Sequence, residues 1–318
     1  MVQLHEVIQI VADLQEQGEL ELARRIAGQY MDRFDSGELR FNHLALSARL
    51  DHTSQVMDLL EDYLETDRWF STWFLVRIPE LKTLEDLPRF RRILQASEAK
   101  EAQYWQDSAA EPIVQVPGSP QPPYPQLVAI HGNGFNPRHS ATGWASAAEA
   151  GWLVFHPVAK RLVGYGSHWW DTHEESRATI EEQAGEALQR YPIDYGRVIL
   201  GGFSKGGEVA MVLALLGWRG AKGFITVGAG GYYHLEPGRW RPLLESIPPG
   251  LRGVAMYSPY DLGRAGGVNQ TLEWIRSAGI EIRLEKYPAE GNVFPEDFSE
   301  RFDQAVEFIL QPSSPVRN

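Results

Sequence analysis

The sequence predicts an all-α domain at the N-terminus, followed by a three-layer α/β domain built on a parallel sheet. Up to about residue 106, apolar residues recur three and four positions apart and glycine and proline are scarce, which is the pattern of amphipathic helices. After residue 125, short apolar runs of strand length alternate with helical stretches. That alternation is typical of a parallel sheet with helices on both faces.

The helical region contains two similar helix pairs. The first pair is divided at residues 17–19, where a glycine stops one helix and an acidic residue restarts the next. The second pair is divided at residues 51–53. Two helix–turn–helix units of similar size predict stacked helical repeats.

The segment from Trp69 to Phe90 ends the helical region and resembles the closing segment that follows tetratricopeptide repeats. The resemblance implies a repeat domain that docks a partner protein through residues 1–106. A helical cap explains the same pattern, because amphipathic helices need only a neighbouring surface on which to bury their apolar stripe. The sequence leaves both interpretations open.

Six prolines between residues 109 and 125 mark a linker. Proline-rich chain favours an extended, semi-rigid conformation over a helix or a core strand. We therefore divide the chain into a helical domain (1–106), a linker (107–125) and an α/β domain (126–318). Within the linker, the apolar run 113–116 has the composition of a short edge strand.

The composition of the chain excludes several classes of function. Asp and Glu outnumber Lys and Arg by 42 to 30, which gives a formal net charge of −12. Such a chain repels a phosphate backbone, so nucleic acid is not an expected partner. The absence of cysteine excludes disulfides, thiolate metal sites and a cysteine nucleophile. No residues show metal-ligand spacing, and we expect neither a metal nor another cofactor.

The hydropathy pattern predicts no membrane span. An apolar run needs roughly 18–20 residues to cross a bilayer, and the best candidate, 209–218, has ten. The apolar positions at the start of the chain are interrupted by acidic residues. This segment also lacks the basic start and the cleavage site of a signal peptide. We therefore expect a cytoplasmic protein.

The most informative motif is Gly202-Phe203-Ser204-Lys205-Gly206, which lies between an apolar strand and a helix. Glycines on both sides of a serine permit a tight, strained turn that projects the hydroxyl above the sheet. The strand before the motif and the helix after it supply the context that this short pattern needs. We therefore predict a nucleophile elbow with Ser204 as the nucleophile.

A loop upstream of the serine is suited to an oxyanion hole. The loop, His131-Gly132-Asn133-Gly134, follows the first strand of the α/β domain, and its glycines allow a backbone N–H to be aimed at the elbow. We expect the backbone N–H groups of Asn133 and Lys205 to stabilise the negative charge of a tetrahedral intermediate.

Residues 124–310 resemble the α/β-hydrolase superfamily, and more narrowly its phospholipase/carboxylesterase branch, which includes acyl-protein thioesterases and small carboxylesterases. The motifs that carry the resemblance are the loop at 131–134, the segment 169–171, the elbow at 202–207 and the segment 287–298. The resemblance implies an α/β-hydrolase fold and the hydrolysis of a small ester-like or acyl ligand. Lys205 stands where this branch usually has glutamine.

The resemblance also implies an acidic residue after a strand downstream of the elbow, and Asp261 follows the apolar run 254–257. Its role would be to orient a histidine and to stabilise the imidazolium. The chain order in this superfamily is nucleophile, acid, histidine. His131 precedes the serine, so we interpret it, together with Gly132, as a support for the loop rather than as the base.

The expected catalytic histidine is replaced. In the loop after the last strand the branch has a pattern close to Gly-His-x-Phe-Pro-x-Asp-Phe, and this chain has Asn292 at the histidine position with matching neighbours. No histidine follows His234 in the chain. An amide cannot accept and return a proton near neutral pH, whereas histidine does so because its pKa lies near about 6.5.

Three explanations of Asn292 stay open. In the first, the protein is a pseudoenzyme that binds a ligand or a partner without turnover. In the second, another histidine serves as the base, with His234 the nearest candidate, followed by His168 and His173. In the third, weak esterase activity persists from the oxyanion hole and substrate binding. We therefore expect ester or thioester hydrolysis through Ser204, impaired by Asn292, with a noncatalytic binding protein as the alternative.

Overall fold

The computed structural model describes most of the chain, namely residues 2–119, 121–230, 236–259, 261, 268–289 and 291–311. The chain forms two compact units. The N-terminal unit consists of Met1–Ala109 and Arg161–Ser167, and the C-terminal unit consists of Ala110–Lys160 and His168–Asn318. A short segment from the second half of the chain therefore belongs to the N-terminal unit.

The helical N-terminal region that the sequence predicts is present. Its elements are α1 (Leu4–Glu16), α2 (Leu20–Met31), α3 (Gly37–Arg49), α4 (Thr53–Leu64), α5 (Thr72–Leu75), a 3-10 helix (Pro79–Leu84) and α6 (Pro88–Asp107). Apolar side chains of the first three helices, such as Val7, Ala27 and Leu46, form one buried cluster. Gly18 has a φ of 80° and makes the turn between α1 and α2, a conformation that glycine adopts without a Cβ penalty.

The C-terminal unit has a seven-stranded sheet with flanking helices. Its strands are β1 (Ile113–Gln115), β2 (Tyr124–Ile130), β3 (Leu153–His156), β6 (Ile193–Phe203), β7 (Gly223–Val227), β8 (Arg252–Tyr257) and β9 (Glu281–Lys286). Two further short strands are β4 (Arg161–Gly164), which belongs to the N-terminal unit, and β5 (Ser167–Trp169). The helices are α7 (Pro137–Gly143), α8 (Ala145–Glu149), α9 (His173–Ala187), α10 (Lys205–Leu215), α11 (Pro237–Leu244), α12 (Val268–Ser277), α13 (Phe298–Leu310) and a 3-10 helix (Trp218–Gly220).

The strand order of the large sheet is β1-β3-β2-β6-β7-β8-β9. Strand β1 runs antiparallel to β3, and the other neighbours are parallel. The parallel-sheet α/β class predicted from the sequence is therefore confirmed, with an antiparallel edge strand formed by the apolar run in the linker. Because parallel strands end at the same edge, the loops after β2, β6, β7, β8 and β9 meet there, where open α/β sheets bind their ligands.

The core lies on both faces of this sheet. Side chains alternate between the faces along each strand, so Leu127 and Ile199 belong to one cluster while Val128 and Leu200 belong to the other. All residues of α10 are buried, as expected for a helix that is apolar all round. A buried helix directly after the central strand β6 fixes the direction in which the chain leaves the sheet.

The elbow between β6 and α10 depends on backbone-to-backbone contact. A Cβ added to Gly202 would lie 2.1 Å from the carbonyl oxygen of Gly206, and one added to Gly206 would lie 2.2 Å from the carbonyl oxygen of Ile130. Real Cβ atoms do not come this close to backbone oxygens. Both glycines of the motif are therefore required by packing between β2, β6 and α10.

We predict that Gly202→Ala lowers the free energy of unfolding by about 2 kcal/mol or more, because the strand or the helix must shift to admit the methyl group. Gly185→Ala is the matched control, since Gly185 lies inside α9 and a Cβ there meets nothing within 4 Å. That substitution should raise the free energy of unfolding by about 0.5–1 kcal/mol. Urea denaturation measures the free energy of unfolding of both variants. Equal denaturation midpoints for Gly202→Ala and the parent protein would refute the packing argument.

Candidate active site

Ser204 occupies a strained turn at the carboxyl end of the central strand β6. Its backbone has a φ of 51° and a ψ of −124°, a conformation that costs a non-glycine residue about 1–3 kcal/mol. Its N–H donates to the carbonyl of Val227 at 3.0 Å, and its own carbonyl accepts from Gly207 at 2.9 Å and from Gly230 at 3.2 Å. These three hydrogen bonds hold the turn in place.

The loop after β2 lies directly beside Ser204. A Cβ added to Gly132 would lie 3.1 Å from the Cβ of Ser204. The side chain of Asn133 is held by the backbone of Trp170, whose N–H donates to Oδ1 at 2.7 Å and whose carbonyl accepts from Nδ2 at 3.5 Å. The N–H of Gly134 donates to the carbonyl of His168 at 2.8 Å. The loop is therefore fixed to the segment 168–170.

His131 is buried beneath this loop and supports it. Its Nδ1 lies 2.8 Å from the carbonyl of Gly132, and its Nε2 accepts the N–H of Ala159 at 3.2 Å. The carbonyl of His131 accepts the indole N–H of Trp170 at 2.8 Å. Burial lowers the pKa of His131 to about 3. Its ring is therefore neutral at pH 7, and backbone groups occupy both of its nitrogens.

Asp261 and Asn292 meet at Gly228, the residue that follows β7. A Cβ added to Gly228 would lie 2.3 Å from Oδ1 of Asn292 and 3.2 Å from Oδ1 of Asp261. Gly228 has a φ of 53°, and its N–H donates to the carbonyl of Met256 at 2.8 Å. The loops after β7, β8 and β9 therefore converge on one point next to the elbow strand.

The carboxylate of Asp261 is buried and is held by its own turn. Its Oδ2 accepts the N–H of Ser258 at 2.9 Å and the hydroxyl of Ser258 at 2.8 Å. The hydroxyl of Tyr287 lies 3.4 Å from the same oxygen. Burial raises the pKa of Asp261, and the hydrogen bonds from Ser258 oppose that rise. The described partners that orient this side chain are therefore Ser258 and Tyr287.

The residues on either side of Asn292 are also held. The hydroxyl of Ser258 lies 3.2 Å from the carbonyl of Gly291, and the hydroxyl of Tyr287 donates to the carbonyl of Val293 at 2.7 Å. Oδ1 of Asn292 is buried and has no hydrogen-bond partner among the residues that the structure describes. The structure thus brings Asn292 to Asp261, but the hydrogen bonds within the described ranges do not join it to Ser204.

The side chain of Lys205 points into the interior. It is 5% exposed and pairs with Oε1 of Glu208, which also lies 2.8 Å from Nε2 of His173. Burial lowers the pKa of Lys205. Its backbone N–H lies at the first position of α10, where the positive end of a helix favours an anion.

The alternative bases either have other hydrogen-bond partners or lie outside the residues that the structure describes. Nε2 of His173 is bonded to Glu208. Nδ1 of His168 lies 2.8 Å from the carbonyl of Ala159, and burial lowers the pKa of His168 to about 4. His234 falls in residues 231–235, outside the described residues. The described residues therefore provide no histidine that could act as the base for Ser204 in place of Asn292.

A cleft of about 820 Å³ opens beside Gly132 and Asn292. Phenylalanines line it, and they include Phe135, Phe203, Phe294 and Phe298. The rings of Phe203 and Phe294 stack with centroids 5.2 Å apart. Sequence reasoning did not identify this wall, although three of its rings lie within the motifs that contain Ser204 and Asn292. An apolar wall next to the elbow is suited to an acyl or aryl group.

Two kinds of feature are not found in the described part of the chain. None of its helices is long and apolar enough to cross a membrane. Within the same residues, no group of three or more His, Asp or Glu side chains is arranged to hold a metal ion.

Comparison with known proteins supports the fold. No protein-family model and no curated protein sequence matches the chain. A crystal structure of an uncharacterized protein from Bacillus cereus ATCC 10987 matches with 18% sequence identity and a TM-score of 0.52, over 97% of this chain and 99% of that chain. At this identity the likeness concerns the fold alone, and it extends over both units.

Two further solved structures have names of hydrolytic enzymes. A Bacillus cereus carboxylesterase has 12% identity over 66% of this chain and 99% of that chain, with a TM-score of 0.49. An S-formylglutathione hydrolase from Agrobacterium tumefaciens has 16% identity over 62% and 88%, with a TM-score of 0.48. Because these scores fall below 0.5, the fold assignment depends instead on the sheet order and on the elbow at the central strand. The C-terminal unit has the α/β-hydrolase fold predicted from the sequence.

We predict that acid destabilises the protein through three buried histidines, His131, His156 and His168. Burial lowers their pKa values to about 3, about 3 and about 4, whereas the value in the unfolded chain is about 6.5. Stability is therefore complete above pH 6.5 and is lost as the pH falls towards 4, because only the unfolded chain takes up protons. The free energy of unfolding should drop by about 2 kcal/mol per histidine between pH 7 and pH 5.

Urea denaturation at the two pH values measures this drop. His156→Gln should make the drop smaller, because one titrating group is removed from the unfolded chain. His139→Gln is the control, since His139 is exposed, and should leave the drop unchanged. Equal pH dependence in all three proteins would show that the buried histidines are not its source.

Proposed function

We propose that the C-terminal unit binds an ester or thioester in the cleft and hydrolyses it through Ser204, slowly because Asn292 stands in place of the proton-transferring histidine. The observation that carries the proposal is the strained backbone of Ser204 at the end of β6, with Asp261 and Asn292 together at Gly228. A strained turn between a strand and a helix is typical of a serine nucleophile, because it projects the hydroxyl above the sheet. Strain of this kind is concentrated at functional sites.

Besides the nucleophile, the proposed reaction needs groups that stabilise negative charge and a group that transfers protons. The hydroxyl oxygen of Ser204 attacks the carbonyl carbon of the ligand, and the negative charge that develops is stabilised by the N–H groups of Asn133 and Lys205. The alcohol or thiol leaves, and water then hydrolyses the acyl-enzyme. Each half of the reaction also requires that a proton be removed from the nucleophile and delivered to the leaving group.

The side chain of Asn292 can form hydrogen bonds, but it cannot transfer a proton. Its amide offers an acceptor oxygen and two N–H donors, so it can hydrogen-bond to a hydroxyl and to a carboxylate as a histidine does. It cannot take up the proton of Ser204 near neutral pH. Sites that have lost members of the triad still exceed the uncatalysed rate by about 10³–10⁴, through the oxyanion hole and substrate binding. We therefore expect a slow esterase.

A noncatalytic ligand-binding protein is the second candidate function. It is favoured by the phenylalanine-lined cleft beside Asn292 together with the other partners of His168 and His173. The two functions require the same ligand class and differ in whether an acyl group is ever transferred to Ser204. One substitution separates them.

We predict that Asn292→His raises kcat/KM for a short-chain p-nitrophenyl ester by at least about 100-fold. In a related triad the loss of histidine costs about 10⁶ in turnover, so even partial recovery is readily measured. The gain is expected because Asp261 is already oriented by Ser258 and the oxyanion donors lie on elements that are already ordered. Initial rates of p-nitrophenol release give the result.

Two double variants control this experiment. Ser204→Ala with Asn292→His should show no gain, which ties the activity to the nucleophile. Asp261→Asn with Asn292→His should lose most of the gain, because the imidazole then adopts the wrong tautomer. A parent protein as fast as a competent esterase would mean that a base lies elsewhere. A folded Asn292→His variant that stays inert but still binds the ester would establish the noncatalytic function instead.

A further inference from the structure

We propose that Gly143 determines which acyl groups the cleft accepts, because its missing side chain leaves room for the ring of Phe294, and that the favoured acyl group is bulky, uncharged and aromatic. The proposal rests on the function proposed above and names the substrate class of the same site. Gly143 is the last residue of α7, and both Gly143 and Phe294 line the cleft. All of the residues concerned belong to the C-terminal unit.

The ring of Phe294 lies directly against Gly143. A Cβ added to Gly143 would lie 2.5 Å from Cε2, 2.7 Å from Cζ and 3.0 Å from Cδ2 of that ring. The three distances are similar, as they are when a methyl group approaches the face of a ring. Real Cβ atoms do not come this close to other carbon atoms, so alanine at residue 143 would displace the ring. Any such displacement changes the cleft, since Phe294 is part of its lining.

The other neighbours of Phe294 decide the direction in which its ring can move. The ring meets Trp144 edge to face with centroids 5.6 Å apart, and it meets Phe298 in the same way at 4.9 Å. Trp144 and Phe298 are buried, and a close-packed interior has no space to give. Phe203, whose ring plane lies 14° from that of Phe294, is only half-buried. The ring therefore moves towards Phe203, and the cleft becomes narrower.

The cleft has the size and the shape for a large aromatic group. Its volume of about 820 Å³ lies within the range of clefts that hold drug-sized ligands and exceeds what an acetyl group needs. The nearly parallel rings of Phe203 and Phe294 form a flat wall, and aromatic rings pack on one another in such stacked arrangements. The ring of Phe135 at this cleft is 36% exposed, so apolar surface is left there for a ligand to cover.

The charged side chains of the cleft favour an uncharged acyl group. Arg138 and Glu296 both belong to the lining, and both are exposed. An anionic group would be attracted by the guanidinium and repelled by the carboxylate, and the reverse holds for a cationic group. Neither charge is therefore selected, whereas the phenylalanine wall rewards the burial of apolar surface.

We assign the cleft to the acyl group rather than to the leaving alcohol or thiol. Phe203 immediately precedes Ser204, the residue to which the acyl group becomes bonded. The acyl group also stays at Ser204 after the alcohol or thiol has left. The wall that begins at Phe203 is therefore next to the acyl group in both halves of the reaction.

Two esters with the same leaving group test the role of Gly143. In the Asn292→His background, kcat/KM for p-nitrophenyl 3-phenylpropanoate is divided by kcat/KM for p-nitrophenyl acetate. Gly143→Ala should lower this ratio at least about tenfold, since one methylene in an apolar pocket is worth about 10–200-fold. Gly185→Ala is the matched control, because it adds the same methyl group to a helix where a Cβ meets nothing within 4 Å. It should leave the ratio unchanged.

A double-mutant cycle with Phe294→Leu assigns the effect to the ring. Leucine has no counterpart of Cε2 and Cζ, the two atoms of Phe294 nearest to a Cβ at residue 143. In the Phe294→Leu background, Gly143→Ala should therefore change the ratio by less than about twofold. A general loss of stability in α7 would instead have the same effect in both backgrounds.

Binding of a ketone tests the same role without turnover. 4-Phenylbutan-2-one contains the acyl part of the larger ester and has no leaving group. Its Kd for the protein that keeps Asn292, measured by ligand-observed NMR, should rise at least about fivefold in Gly143→Ala and stay unchanged in Gly185→Ala. If the Asn292→His protein is inert, the proposed function fails while this experiment still decides the role of Gly143.

An equal loss of activity with both esters in Gly143→Ala would overturn the proposal, because the shared leaving group would then occupy the cleft. The same loss in the Phe294→Leu background, or a protein that does not bind the ketone, would overturn it as well. Should Gly143→Ala fail to fold, Phe294→Trp is measured in the same way, because a larger ring against Gly143 must extend into the cleft. An unchanged ester ratio in that variant would count equally against the proposal.

Discussion

The constraint on which the C-terminal unit depends is the close approach of backbones at the elbow. Ser204 keeps a conformation that costs about 1–3 kcal/mol in isolation, and only surrounding structure can hold it there. The glycines on either side allow α10 to start against the ends of β2 and β6, and α10 is buried along its whole length. The apolar packing of that helix opposes relaxation of the turn, because the serine cannot move without exposing the helix.

A second set of interactions replaces regular secondary structure at the end of β2. Buried backbone groups must find hydrogen-bond partners, and in the loop beside Ser204 Gly134 and Phe135 find theirs in the backbone of His168. His131, Asn133 and His168 serve this purpose, each joining backbone atoms that lie far apart in the chain. Burial keeps the two histidine rings neutral, which allows each ring to accept with one nitrogen. These side chains are structural partners of the loop, and they connect it with Ala159 and Trp170.

Asp261 is held by hydrogen bonds within its own turn. Its Oδ2 accepts both the N–H and the hydroxyl of Ser258, so the carboxylate stabilises its own turn. The same serine hydroxyl and the hydroxyl of Tyr287 hold the backbone on either side of Asn292. The backbone around Asn292 is therefore ordered by contacts that do not involve the side chain of Asn292.

The local pattern of the sequence determined much of this architecture. The change of apolar period after residue 125 predicted helices followed by a parallel sheet, since periodicity reflects which face of each element is buried. The run 223–227 coincides with β7, and the Gly-x-Ser-x-Gly motif identified the turn at Ser204 because its glycines are a local requirement. The sequence drew attention to Asn292 because its neighbours match the pattern of the resembled branch.

Other features depended on which distant residues the folded chain brings together. The local pattern did not predict that Ser71 forms hydrogen bonds with the carbonyls of Leu162 and Val163. Phe135, Phe203 and Phe294 come from three separate loops and motifs, and only packing makes them one wall of a cleft. Short apolar or aromatic residues in loops have no period, so their partners are not encoded locally. The sequence by itself determined the elements and the position of the elbow serine. The tertiary structure decided the shape of the cleft and the support of the loop beside Ser204, because both arise from contacts between residues far apart in the chain.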